Sequence, residues 1–131
     1  MNKKNMSAQG GKIILVIEDD IILQKNIKSA LELAGFDVVQ LFVGEKIKET
    51  IKKEKPSLIL LDLMLPEKDG YHILKDLKED KNFKKIPVIV LTVIDTKSSI
   101  AECKMLGADD YLSKSNYSLE EIVEKVKKLI K

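Results

Sequence analysis

The chain has 131 residues, enough for one domain with a full core and too few for two of ordinary size. Hydrophobic residues make up 44% and charged residues 34%, which excludes a disordered chain; a net charge of +2 is too small to argue for nucleic acid. The lone cysteine, Cys103, excludes an internal disulfide and fits a reducing compartment, and the apolar runs are far shorter than a membrane span. Residues 1–11 carry Lys3 and Lys4 but no apolar stretch, so they are expected to be a flexible tail rather than a secretory signal. A single domain is then expected over 12–131.

In chain order, Ile13-Ile14-Leu15-Val16-Ile17 is a first strand. Its unbroken apolar run suits burial on both faces, the habit of parallel sheets. Ile22, Leu23, Ile27, Ala30, Leu31 and Ala34 then predict a helix closed by Gly35. Phe36–Phe42 is a further strand, and Ile47 and Ile51 mark a short second helix. Leu58-Ile59-Leu60-Leu61 is a third strand, followed by a helix marked by Tyr71, Leu74 and Leu77. Val88-Ile89-Val90-Leu91 is a fourth strand, followed by a helix marked by Ile100, Ala101 and Met105 and ending at Gly107. Asp110–Leu112 is a short last strand. Leu119, Ile122, Val123, Val126, Leu129 and Ile130 form the clearest helical stripe, with Ser118 and Glu121 as its capping box. Strand and helix thus alternate five times. Short right-handed connections favour an α/β, doubly wound sheet with parallel strands in the flavodoxin-like order 2-1-3-4-5.

Ligands of such folds bind beyond the carboxyl ends of the strands. Strand one ends in Glu18-Asp19-Asp20, strand three in Asp62, strand four in Thr92, and Lys114 follows strand five. Carboxylates brought together there repel one another, and a hard cation with oxygen ligands relieves that repulsion. Mg²⁺ suits one or two carboxylates, waters and phosphate oxygens, and a carboxylate can act as a covalent nucleophile. Taken singly, Glu18 and Asp19 could be a solvated strand end, Thr92 an ordinary strand residue and Lys114 one surface lysine among many. Their coincidence at four ends of one sheet edge argues for a site.

The stretches Ile14–Asp20, Leu61–Pro66 with Asp69-Gly70, Ile86–Thr92 and Gly107–Lys114 resemble, in order and register, the receiver domain of two-component response regulators. The resemblance implies that Asp62 is the phosphoacceptor. It implies a divalent metal, Mg²⁺ or Mn²⁺, on Asp19, Asp62 and the backbone carbonyl of Met64, with Glu18 acting directly or through water. Lys114 would pair with Asp62 and then with the phosphoryl oxygens. Thr92 would move to meet the phosphoryl group, and Tyr111 would be the aromatic switch that turns inward after it. The implied donor is a histidine kinase or histidine phosphotransfer protein, and the implied recipient a downstream protein or an output domain. The setting would be the cytoplasm, with no membrane and no direct nucleic-acid contact by this domain. Such a protein is not an enzyme; it promotes only its own phosphorylation and slow dephosphorylation.

Two rivals are weighed against this. A haloacid-dehalogenase-like phosphatase or phosphotransferase needs a second Asp two residues after the first, where Met64 stands. A non-phosphorylated interaction module would lack part of the acidic, threonine and lysine set, which is complete here. A flavodoxin-type cofactor module is disfavoured as well, because Glu18-Asp19-Asp20 would repel a phosphate. Two positions depart from the family pattern: Ser115 replaces the usual proline after the lysine, and Val93 replaces a small residue after the threonine. A non-proline cis bond costs about 2.5–4 kcal/mol, so Lys114–Ser115 is expected to be trans. His72, the only histidine, is expected on a solvated surface, Cys103 half-buried, and Lys125, Lys127, Lys128 and Lys131 on a solvated helix face.

Overall fold

The computed structural model describes residues 11–130. The expected tail falls outside this range except for Gly11, as does Lys131. The elements are β1 (Ile13–Ile17), α1 (Ile21–Leu33), β2 (Asp37–Leu41), α2 (Ile47–Glu54), β3 (Leu58–Leu61), α3 (Gly70–Glu79), β4 (Val88–Thr92), α4 (Lys97–Met105), β5 (Asp110–Ser113) and α5 (Leu119–Ile130). All strand pairs are parallel and the sheet order is β2-β1-β3-β4-β5, as the alternation predicts.

The apolar runs are long because both sheet faces are covered. Leu15, Ile17, Ile59, Leu61 and Val90 point to one side, against Ile47 and Ile51 of α2, Ile73, Leu74 and Leu77 of α3 and Cys103 of α4. Their neighbours Ile14, Val16, Leu58, Leu60, Ile89 and Leu91 point to the other, against Ile27 and Leu31 of α1 and Ile122 and Val126 of α5. Period-two alternation within each strand does this sorting. Gly35, at φ 99°, ends α1 in the left-handed conformation that favours glycine. Ser118 and Glu121 form the expected capping box: each backbone N–H meets the other's side chain, at 3.1 and 3.2 Å.

The helix stripes needed correction at two places. Ile22 is 73% exposed rather than part of the buried stripe of α1, whose inner face is Gln24, Ile27 and Leu31. On α4 the buried residues are Ser99 and fully buried Cys103, while Ala101 and Met105 face solvent. Residues 99, 103 and 106 share one face at spacings of four and three; 101 and 105 share another, and that one points outward. Among the described residues no helix is long and apolar enough to cross a membrane.

Candidate functional site

β1 and β3 are central, adjacent strands, so the residues that leave their carboxyl ends emerge side by side. The Glu18 N–H donates to Leu41 O (3.0 Å) and the Asp62 N–H to Ile17 O (3.1 Å), which carries the ladder one residue past each strand. The acidic triplet then divides its work. Asp20 caps α1 by accepting from the Leu23 N–H at 3.0 Å, and its own N–H donates to Glu18 Oε2 at 3.0 Å. Glu18, Asp19 and Asp62 each offer a carboxylate oxygen, and these oxygens lie within 4.8 Å of one another. Glu18 and Asp62 are buried; Asp19 is exposed.

The loop after β3 holds Asp62 in place. Asp62 Oδ1 accepts the Met64 N–H at 3.0 Å, and Met64 forms a bridge with Asp69. Gly70 sits so close beneath that a Cβ there would lie 2.3 Å from Leu63 Cα, a distance only glycine avoids.

Lys114 enters from β5. Its Nζ is 2.5 Å from Glu18 Oε1 and 3.1 Å from Asp62 Oδ2. Burial works against the ammonium, but the two carboxylates outweigh it and raise its pKa. Glu18 is pushed up from 4.5 to about 7, first by burial and further by the charge of Asp62; its contacts with Lys114 and the Asp20 N–H pull the other way without cancelling it. No cis peptide bond occurs among the described residues, so Lys114–Ser115 is trans as expected. The loop closes instead through the Asn116 N–H on Ser113 O (3.1 Å) and the Ser115 N–H on Ser113 Oγ (3.3 Å).

Thr92 is fully buried at the end of β4, and its Oγ1 accepts the Ile94 N–H at 3.5 Å. Tyr111 is half-buried, with its hydroxyl 3.2 Å from Ser99 Oγ; Ser99 in turn bonds the Tyr71 hydroxyl. A hydroxyl chain thus joins α3, α4 and β5. His72 is exposed. Cys103 is fully buried, not half-buried, and burial raises its thiol to about 11, so it is not a reactive thiolate. Lys125 pairs with Asp110 at 3.2 Å, while Lys127 and Lys128 face solvent.

Two participants escaped the sequence reading: Gln24, fully buried behind Glu18, and Ser99. The signal for Gln24 was a polar residue at a buried-stripe position, three before Ile27 and seven before Leu31.

The family model for the response regulator receiver domain matches residues 14–127. The chain belongs to the response regulator receiver domain family. It is 36% identical over 118 residues to the DNA-binding dual master transcriptional regulator RpaA of Synechocystis sp., covering 90% of this chain and 48% of that protein. Thus the receiver domain spans about half the length of the curated relatives it matches. Among solved structures, the Francisella response regulator 1452 receiver domain superposes with a TM-score of 0.83 at 32% identity, covering 91% of this chain and 96% of that one. The Mn²⁺-bound form of response regulator Rcp1 superposes with a TM-score of 0.75 at 28% identity, covering 90% and 91%. This receiver domain is a signalling module of two-component systems, and its acidic cluster fits a phosphorylation and metal site.

Proposed function

We propose that Asp62 accepts a phosphoryl group from the phosphohistidine of a histidine kinase or histidine phosphotransfer protein. One observation carries the reading: a buried carboxylate at a strand end stands among two further carboxylates, with a lysine ammonium 3.1 Å away. In the transfer an Asp62 oxygen attacks phosphorus. The P–N bond to the imidazole breaks as the P–O bond forms, and the leaving nitrogen keeps the electron pair. Lys114 then pairs with the phosphoryl oxygens, and Thr92 supplies a hydroxyl to them. Tyr111 follows Thr92, and the face formed by α4, β5 and α5 changes its affinity for a downstream protein or output domain, a population shift set by one local charge. The domain turns over no other substrate and works in the cytoplasm, apart from membrane and nucleic acid.

The residues present suit a divalent cation. Of the three clustered carboxylates, Glu18 and Asp62 share one ammonium, and Glu18 Oε1, although close to Lys114, has no well-aligned hydrogen-bond donor. Glu18, Asp19, Asp62 and the Met64 carbonyl would hold Mg²⁺ or Mn²⁺; Rcp1, a relative in structure, has a Mn²⁺-bound form. When bound, the cation neutralises the carboxylates and the incoming phosphoryl oxygens. Incubation with acetyl phosphate, followed by intact mass, tests the reading. One phosphoryl group is expected in the presence of Mg²⁺ and none after chelation; metal-independent uptake contradicts it.

The surroundings support a protein donor. Among the described residues, six of the eight exposed large apolar side chains, Ile21, Ile22, Phe42, Val43, Met64 and Val93, stand on the loops and the α1 start at the edge that bears Asp62. Such a patch suits a protein partner better than a small donor. Val93 and Met64 rim the site and hinder approach, so Val93→Ala is expected to speed uptake from acetyl phosphate, by no more than about a hundredfold. Stopped kinetics on the two proteins check this, and slower or unchanged uptake refutes the steric account.

A further inference from the structure

Gln24 has no exposed surface, yet its side-chain amide is polar at both ends. Its Nε2 donates to three carbonyls: Val16 O at 3.0 Å, Glu18 O at 3.2 Å and Leu41 O at 3.0 Å. Leu41 O also receives the Glu18 N–H at 3.0 Å. Both backbone polar groups of Glu18 are therefore tied into one knot, made by the ends of β1 and β2 and the side chain of Gln24. The other end of the amide is fixed as well. Gln40 Nε2 donates to Gln24 Oε1 at 3.2 Å and to Gln24 O at 3.3 Å. A flipped amide would set its oxygen against three carbonyl oxygens and its NH₂ against that of Gln40, so only one orientation satisfies every group. Glu18 and Asp19 carry two of the three carboxylates of the cluster, and the knot lies where the chain bends out of β1 to present them.

We infer that Gln24, oriented by Gln40, is a positioning residue of the cation site. It touches neither the cation nor the reacting atoms. It holds the Glu18 backbone so that the Glu18 and Asp19 carboxylates converge on Asp62. The inference rests on the reading that this cluster binds a divalent metal. Groups that orient metal ligands from behind typically govern affinity by 10- to 100-fold.

Mn²⁺ titration followed by electron paramagnetic resonance, alongside thermal unfolding, tests it on the whole chain. Gln24→Met fills the volume and removes the hydrogen bonds; it is expected to weaken Mn²⁺ binding about tenfold or more. Gln40→Met leaves Gln24 in place but frees its orientation, and is expected to give a smaller loss in the same direction. Val126→Ala truncates the core near the opposite sheet edge, where Ile130 O meets Lys12, and is expected to lower the melting temperature without changing Mn²⁺ affinity. Unchanged affinity in folded Gln24→Met overturns the inference. So does a loss in Val126→Ala as large as that in Gln24→Met, because stability alone would then explain both. Where Gln24→Met does not fold, Gln40→Met decides by the same criterion. A native protein that binds no Mn²⁺ removes the cation reading itself, and that failure appears before any substitution is made.

Discussion

The Asp62→Asn protein is expected to take up no phosphoryl group, from a phosphorylated kinase or from acetyl phosphate, while folding at least as well as the native protein. The amide nitrogen and oxygen of asparagine are not nucleophiles for this transfer, so the loss is complete rather than partial. The fold has no reason to suffer. Asp62 shares one lysine ammonium with Glu18, and its charge helps hold the Glu18 carboxyl above its ordinary range. Burial, the larger cause, still holds the Glu18 carboxyl up, but removing that charge relieves repulsion inside the cluster and lowers its pKa. A phosphate-affinity gel and a thermal melt read the two effects separately. Labelling equal to that of the native protein would falsify the assignment of the acceptor.

Lys114→Met is expected to cost about 3 kcal/mol of stability at neutral pH without metal, because it leaves two buried carboxylates with no counter-ion. The cost depends on pH, with a sign fixed by Glu18. Its pKa is higher folded, about 7, than the ordinary 4.5, so proton binding favours the folded state. In the native protein the stability tied to this group is fully present below pH 4.5 and is lost as pH rises through about 7. The shift corresponds to about 3 kcal/mol. In Lys114→Met the carboxyl has lost the ammonium that pulled it down, so its pKa rises further. The deficit against the native protein is therefore largest above pH 7 and narrows as pH falls through about 7, below which Glu18 is neutral in both folded proteins. Mg²⁺ replaces the missing positive charge and is expected to narrow the deficit at neutral pH. Denaturant unfolding across this range checks the sign; a deficit that grows on acidification contradicts the account.

Much of this was legible in the sequence for a simple reason. β1, β3 and β4 are buried on both faces, so their composition is extreme, and the polar residue that ends each run stands out. Sheet order followed from alternation, and the meeting of Glu18, Asp19, Asp62, Thr92 and Lys114 at one edge followed from sheet order. Helix faces were read less well. Ile22 and Met105 are apolar and exposed, whereas Gln24 and Ser99 are polar and buried, so hydrophobicity found the inner face of α1 through Ile27 and Leu31 but misplaced Ile22, and on α4 it pointed to the outer face. The reason is local. Ile22 lies at the start of α1 beside the acidic edge, where the exposed side chains of three loops gather, and Gln24 is buried because three backbone carbonyls from two strand ends have lone pairs to be met there. No spacing rule contains that need; it exists only once β1 and β2 lie side by side. The Tyr71–Ser99–Tyr111 chain is hidden in the same way, since its members come from three elements far apart in sequence.

The central claim is that one carboxylate, Asp62, carries the phosphoryl group and does so only with a divalent cation. Borohydride trapping tests it most directly: an acyl phosphate is reduced to an alcohol, and peptide mapping reads where that alcohol lies. After incubation with acetyl phosphate and Mg²⁺, the reduced residue is expected at position 62 alone, and at no position once the metal is chelated. Reduction at Asp19 or Glu18, a borohydride-resistant phosphoryl group on His72, or equal trapping without metal would contradict the account.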